Sequence, residues 1–189
     1  MIDIRKEELF ELGKAWLALT VAFSILFRNM GIGIVNTAIL SFLTVGLAFV
    51  VHELAHKIIA QYYKCIAEFK ANNTMLIAAI LMAFLGFVLA SPGAVYIKGF
   101  VTRAQNGIIS LAGPVSNLVM ALLFIPIMYL PGLYGVIGYF GVFINSFIGL
   151  FNMIPFMPFD GAKVWIWNKT YYVVTVIMLL SLTIWVLFI

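Results

Sequence analysis

The stretch Val51-His-Glu-Leu-Ala-His56 contains both histidines of the chain and lies inside an apolar segment, residues 36–64. On a helix, His52 and His56 are four residues apart, so both imidazoles project from one face and can hold a single zinc ion. Glu53 is placed to activate a water molecule at that ion. A zinc-hydrolase motif inside an apolar segment long enough to span a membrane predicts hydrolysis inside the bilayer.

The composition is that of an integral membrane protein. Of 189 residues, 65% are hydrophobic and 10% are charged, and the mean hydropathy is +1.14. An average soluble domain has about 25% charged residues, so we expect one membrane domain over residues 1–189. The net charge of +4 is too small and too dispersed for a nucleic-acid surface. Cys65 is the sole cysteine, which excludes an internal disulfide and a cysteine-rich metal site.

Five apolar runs are close to or above the length of about 20 residues that crosses a bilayer. They are residues 9–28, 36–64, 107–130, 133–151 and 171–189. The residues before the first run carry both charge signs and no signal-peptide pattern, so we expect that span to be kept as its own insertion signal. The last run ends at Ile189 without a polar flank, as it would in a shortened chain.

A sixth apolar run, residues 75–90, is shorter than a spanning helix, and Ser91–Lys98 after it predicts a turn and a short strand. With a cytoplasmic N-terminus, a crossing at 75–90 would divide the basic residues six to five between the two faces. A segment that dips in and returns divides them ten to one. Cytoplasmic loops carry an excess of Lys and Arg, so the count favours a re-entrant helix and β-hairpin element over about 75–104. We therefore predict an all-α polytopic membrane protein with five transmembrane helices.

Asp160 is the best candidate for a third zinc ligand, since a catalytic site uses three protein ligands and leaves the fourth position to water. Four of the seven acidic residues lie in the N-terminal segment, and Glu68 lies in a predicted polar loop after the motif helix. Asp160 directly follows a span, where a carboxylate is costly unless it is paired or metal-bound. The re-entrant arrangement puts it on the same side as the C-terminal half of the motif helix. Its alternative use is as a helix N-cap.

Two further polar positions accompany the spans. Asn117 ends the run Leu111-Ala-Gly-Pro-Val-Ser-Asn117, and we weigh interhelical hydrogen bonding and a catalytic role equally for it. Gly113 and Pro114 in this run would allow close packing or a kink. Asn152 stands where Pro155 and Pro158 are predicted to end the preceding helix.

Three motifs in this order resemble the site-2 protease family of intramembrane zinc metalloproteases. They are His52-Glu-Leu-Ala-His56, Ala112-Gly-Pro-Val-Ser-Asn117, and Asn152-Met-Ile-Pro155 leading to Phe159-Asp-Gly161, and they fall within about 45–165. The resemblance is to compact prokaryotic-type members without PDZ or CBS domains. It implies a core of about 36–165 with peripheral spans at 9–28 and 171–189, and a re-entrant β element where 91–98 lies. Phe159 replaces the usual leucine before the aspartate, and the run 75–90 is longer than in the simplest members.

The resemblance also implies the roles of the site residues. One Zn²⁺ per chain would be held by His52, His56 and Asp160, with Glu53 as catalytic acid/base. Asn152 would help to bind the substrate or the oxyanion, and Asn117 is a second candidate for that role.

We expect the chain to be an endopeptidase that cuts transmembrane segments of membrane-protein substrates. It would be a multi-pass protein of the cell membrane, with its N-terminus and the opening of its active site in the cytoplasm. Its partners would be a substrate helix and the lipid bilayer, with no nucleic acid. The strand at about 94–97 is expected to pair with an unwound substrate segment. The alternatives are an inactive homologue that binds helices without cutting them, and a membrane metal transporter or sensor. The presence of Glu53 disfavours an inactive homologue. The single compact cluster of ionisable groups disfavours a transporter.

Overall fold

The chain forms five long helices, two short helices and a two-stranded sheet in a computed structural model that describes residues 3–88 and 92–189. The elements are α1 Lys6–Leu26, α2 Ile34–Tyr62, β1 Ile66–Ala71, α3 Asn73–Phe84, β2 Gly93–Lys98, α4 Arg103–Met128, α5 Leu133–Asn152, α6 Asp160–Trp167 and α7 Lys169–Leu187. The helices α1, α2, α4, α5 and α7 are long and apolar enough to cross a membrane. This confirms the prediction of a mainly helical chain with five candidate spans.

Local sequence signals set several of the helix boundaries. Thr102 and Gln105 form a capping box at the start of α4, in which each side chain accepts a hydrogen bond from the other's backbone amide. The Asn168 side chain caps α7 by accepting from two backbone amides of its first turn. Within α2, residues 42–46 form a π-helical segment, and Trp16 of α1 donates its indole N–H to the Phe42 carbonyl there, at 2.9 Å. A π segment frees carbonyls from the regular ladder, which gives the indole its acceptor.

The start of α1 and the end of α2 lie beside the sheet, and we call this side of the helix array the sheet end. Asp3 and Gln61 exchange two hydrogen bonds of 3.1 and 2.8 Å, which join the start of α1 to the end of α2. Arg103 at the start of α4 donates to the Ile166 carbonyl at the end of α6. Because short connections make the long helices alternate in direction, α5 ends and α7 begins at the sheet end as well.

The segment between the two strands returns to the place where it leaves. The strands β1 and β2 pair antiparallel from Ile66↔Lys98 to Ala71↔Gly93, and the Asn72 amide donates to the Pro92 carbonyl at 2.9 Å. Both ends of the 12-residue helix α3 therefore connect to the sheet end, so this segment makes no net crossing of the helix array. The geometry agrees with the predicted re-entrant element.

The predicted limits of that element need correction. The first strand of the hairpin is β1, which precedes α3 and lies outside the predicted range 75–104. Glu68 is thus on a strand, and the prediction that it lies in a polar loop is wrong. A strand of six residues with one buried face carries little periodic signal, because its conformation depends on a partner about 30 residues later. Residues 89–91, which include the end of the run 75–90 and Ser91 of the predicted turn, lie outside the described residues.

The motif helix α2 packs against α4, and α4 packs in turn against α5. Glycines make the second contact close. A Cβ at Gly141 would meet the ring of Phe124, and a Cβ at Gly149 would come within 3.2 Å of Asn117. Small residues allow membrane helices to approach in this way. The helices α1 and α7 bury less of their surface than these three, while the division into a core of 36–165 and two peripheral spans stays a prediction.

Candidate metal centre

Three donor atoms converge between α2 and α6. The Nε2 atoms of His52 and His56 are 3.0 Å apart, and Oδ2 of Asp160 lies 3.4 Å from the first and 3.0 Å from the second. Tetrahedral zinc with bonds of 2.0 to 2.2 Å requires donors about 3.3 to 3.6 Å apart, so the triangle fits a zinc ion to within about 0.3 Å. Two imidazoles and one carboxylate are a catalytic zinc ligand set that leaves one position for water. The structure thus brings together the three predicted ligands.

Hydrogen bonds to the far sides of the two rings select the tautomer that zinc requires. Nδ1 of His56 lies 2.8 Å from the Ile109 carbonyl oxygen, and Nδ1 of His52 lies 2.6 Å from Oδ1 of Asn117. Both partners are acceptors, so each Nδ1 carries the proton and each Nε2 lone pair is directed at the centre. Contacts of this kind orient metal-binding histidines and raise their basicity.

Asn117 is fully buried, and its three hydrogen bonds go to two neighbouring helices, α2 and α5. Its amide nitrogen donates to the Ala48 carbonyl at 3.1 Å and to Oδ1 of Asn145 at 3.2 Å, so its oxygen is the atom that faces His52. Interhelical hydrogen bonding, one of its two predicted uses, is what the structure shows. The other use, contact with the substrate or oxyanion, stays a prediction.

Asn145 on α5 is the residue that sequence reasoning missed. It is completely buried, accepts from Asn117, and donates to the Gly141 carbonyl at 2.9 Å. Through Asn117 it extends the hydrogen-bond chain from His52 to α5. The available signal was an amide side chain in the middle of the apolar run 133–151, a position where polar groups are costly unless they are paired.

Gly113 leaves the space in which the three donors meet. A Cβ built on this residue of α4 would lie 2.5 Å from Nε2 of His52 and 2.5 Å from Nε2 of His56. Any side chain would therefore occupy the volume that a metal ion needs. The predicted close packing at Gly113 is thus packing against the metal centre itself.

Asp160 is the first residue of α6, and Phe159 occupies the N-cap position without a side-chain cap. The N-cap alternative for Asp160 is therefore wrong, and its carboxylate faces the histidines. Burial opposes its ionisation, but the two imidazoles outweigh burial and hold the pKa of the Asp160 carboxyl well below its usual range. Its second oxygen lies 3.5 Å from Nζ of Lys163. The carboxylate is thus charged at neutral pH, as a metal ligand must be.

Glu53 lies on α2 and Asn152 ends α5, and neither is one of the three proposed ligands. The Glu53 side chain is buried on α2, with the backbone amide of Val95 on β2 beside its carboxylate. Asn152 is the last residue of α5, and its amide nitrogen donates back to the Ile148 carbonyl at 3.0 Å. The helix thus ends at Asn152 as predicted, while its contact with substrate stays a prediction.

Fold and site together define a helical protein with five candidate membrane spans and a buried His-His-Asp centre suited to zinc. The protein named "Putative zinc metalloprotease MJ0611" from Methanocaldococcus jannaschii is 38% identical over 176 residues, which cover 90% of each chain. "Putative zinc metalloprotease YwhC" from Bacillus subtilis is 29% identical over 143 residues, 65% of each chain. The chain belongs to the zinc metalloprotease family of the archaeal relative. No family model matches the chain, and no solved structure matches it.

Proposed function

We propose that the chain is a zinc-dependent endopeptidase of the site-2 type, which hydrolyses peptide bonds within transmembrane segments. The observation that carries this proposal is the position of the centre within α2. His56 is six residues before the end of a 29-residue apolar helix, or about 9 Å at 1.5 Å per residue. His52 is one turn deeper. If α2 crosses the bilayer, substrate bonds reach the ligands only below the membrane surface.

The chemistry divides between a bound metal and the side chains of α2. His52, His56 and Asp160 would hold the zinc ion, which would act as a Lewis acid towards a carbonyl and lower the pKa of water towards about 7. Glu53, the residue after His52, accepts the proton from the attacking water and passes it to the departing amine. Asn117 and the Ile109 carbonyl keep both rings oriented during this exchange.

The outer edge of β2 is the proposed place for an unwound substrate segment. On β1, the amides of Phe69 and Ala71 bond to carboxylates of α1, so these two residues direct their backbone groups away from β2. In an antiparallel pair the partner of such a residue also faces outward, and the partner of Phe69 is Val95. The Val95 amide therefore lies on the free side of β2, beside Glu53. An extended peptide paired there would run past the catalytic carboxylate.

The proposed orientation in the membrane rests on the positions of the basic residues. Ten of the eleven basic residues belong to segments that lead to the sheet end, and Arg28 follows the opposite end of α1. Under the positive-inside rule we propose that the sheet end, the N-terminus and the active-site opening face the cytoplasm of a cell membrane. The proposed partners are the lipid bilayer and a transmembrane helix of the substrate.

The alternatives remain an inactive homologue and a metal transporter or sensor. Among residues 3–88 and 92–189, one cluster of metal-ligating side chains is found, which is less than a transport path would need. The buried Glu53 next to the ligands supports an enzyme over an inactive binder.

The decisive experiment compares the wild-type chain with Glu53→Gln against a library of single-span reporter proteins. We expect the wild type to cut reporters within the span, and Glu53→Gln to keep one zinc per chain while cleavage is lost. Cleavage that is unchanged in Glu53→Gln would refute the mechanism. Zinc flux into proteoliposomes, measured on the same preparations, would identify a transporter.

A further inference from the structure

Three side chains cover the outer edge of β1, the edge that faces away from β2. Glu8 of α1 accepts from the Phe69 amide at 3.0 Å, and Glu11 accepts from the Ala71 amide at 3.2 Å. Lys57 of α2 donates to the Ala67 carbonyl at 3.0 Å. The three backbone groups belong to alternate residues of β1, so together they occupy one strand edge. An uncovered edge would be free to pair with another chain.

Glu8 and Lys57 also bind each other. Their side chains are 1% and 2% exposed and form an ion pair between α1 and the motif helix. Lys57 directly follows the ligand His56. Two charges held out of water are costly unless each is hydrogen-bonded as well as paired, and here each partner also bonds to β1. Well-packed apolar residues would often stabilise such a site as well, so stability alone does not explain the pair.

The pair ties the sheet to the helix that carries the catalytic residues. Lys57 lies one helical turn from Glu53 on α2, and Glu8 reaches Phe69, whose partner across the sheet is Val95. Val95 is also the residue whose amide lies beside Glu53. A shift of β1 along α1 would therefore move the free edge of β2 relative to Glu53.

We infer that Glu8, acting through its bond to β1, is a positioning residue that sets the register of a substrate on β2 against Glu53. This inference rests on the proposed endopeptidase function. It assigns the N-terminal helix a part in choosing which peptide bond is cut, although no residue of α1 belongs to the metal centre.

The test uses the double variant Glu8→Leu/Lys57→Met, which removes both charges at once and leaves no unpaired ion in the protein interior. We expect it to fold and to keep one zinc per chain. Its amides at 66–71 should exchange with deuterium faster than in the wild type. We expect kcat/KM on a cleaved reporter to fall on the order of 10- to 100-fold, the loss that misplacement by about 1 Å produces. Mass spectrometry should find cuts spread over neighbouring bonds.

Two control variants separate positioning from general damage. Glu7→Leu changes an exposed carboxylate in the same turn of α1 and should leave exchange and cut position unchanged. Glu8→Gln/Lys57→Met keeps an oxygen that can accept from the Phe69 amide, and should restore slow exchange and a single cut position.

Wild-type exchange at 66–71 and a wild-type cut position in Glu8→Leu/Lys57→Met would overturn the inference. Lower activity at an unchanged cut position would also overturn it, since that result indicates a structural role only. If the wild-type chain cuts no reporter, the proposed function fails and the register role fails with it. Deuterium exchange at 66–71 then still decides whether the pair anchors the sheet. It is compared between zinc-loaded Glu53→Gln protein with and without Glu8→Leu/Lys57→Met.

Discussion

Replacing Gly113 with alanine adds one methyl group at the most crowded point of the metal centre. The new Cβ would lie 2.5 Å from Nε2 of both His52 and His56, whereas ordinary contact begins at 3.4 Å. The overlap of about 0.9 Å with two ligands at once must be relieved by moving the rings or α4. Changes to the outer hydrogen bonds of a zinc site cost about 10- to 100-fold in affinity. Because this methyl group takes the volume of the ion itself, we expect a loss of at least about 100-fold.

The assay is zinc content per purified chain, followed by chelator competition to obtain the affinity. Gly13→Ala is the matched control, because it is the same substitution in α1 at a position with nothing within 4 Å. Both changes favour the helix by roughly 1 kcal/mol, so circular dichroism should show intact helices in both variants. Gly113→Ala protein that binds zinc with wild-type affinity would refute the assignment of this space to the metal.

Three other predictions concern the same site and its neighbouring strand. Asp160→Ala should lose most of its zinc with the helices intact, as measured by metal analysis, and full zinc content would exclude it as a ligand. Asn117→Leu should weaken zinc binding about 10- to 100-fold in chelator competition, because His52 loses the acceptor that selects its tautomer. Val95→Pro should abolish reporter cleavage, because it removes the outward amide proposed to pair with the substrate. It should keep zinc, because that amide is not part of the metal centre. Tyr96→Pro should also speed deuterium exchange in β1, because the Tyr96 amide bonds across the sheet. Equal exchange rates in Val95→Pro and Tyr96→Pro would contradict the strand register.

The candidate spans and two of the three proposed ligands could be predicted because their signals are local. Span length depends only on a continuous apolar run, and the His52–His56 spacing places both rings on one face of any helix. The prediction of Asp160 as the third ligand required a count of basic residues over the whole chain together with the scarcity of other acids. The strand β1 escaped prediction because its six residues become a strand only by pairing with β2, across the intervening α3.

Five apolar helices and a His-Glu-x-x-His motif within one of them can be predicted from local sequence, because hydrophobic length and helical spacing act over short distances. The metal centre around that motif depends on contacts between helices. Packing of α4 against α2 supplies Asn117 and the space at Gly113, and the turn after α5 brings Asp160 within 3.4 Å of both rings. Glu8 pairs with Lys57 and also accepts from the Phe69 amide of β1. These contacts join residues 49 to 108 positions apart, and only the close packing of whole helices brings such distant parts of the chain together.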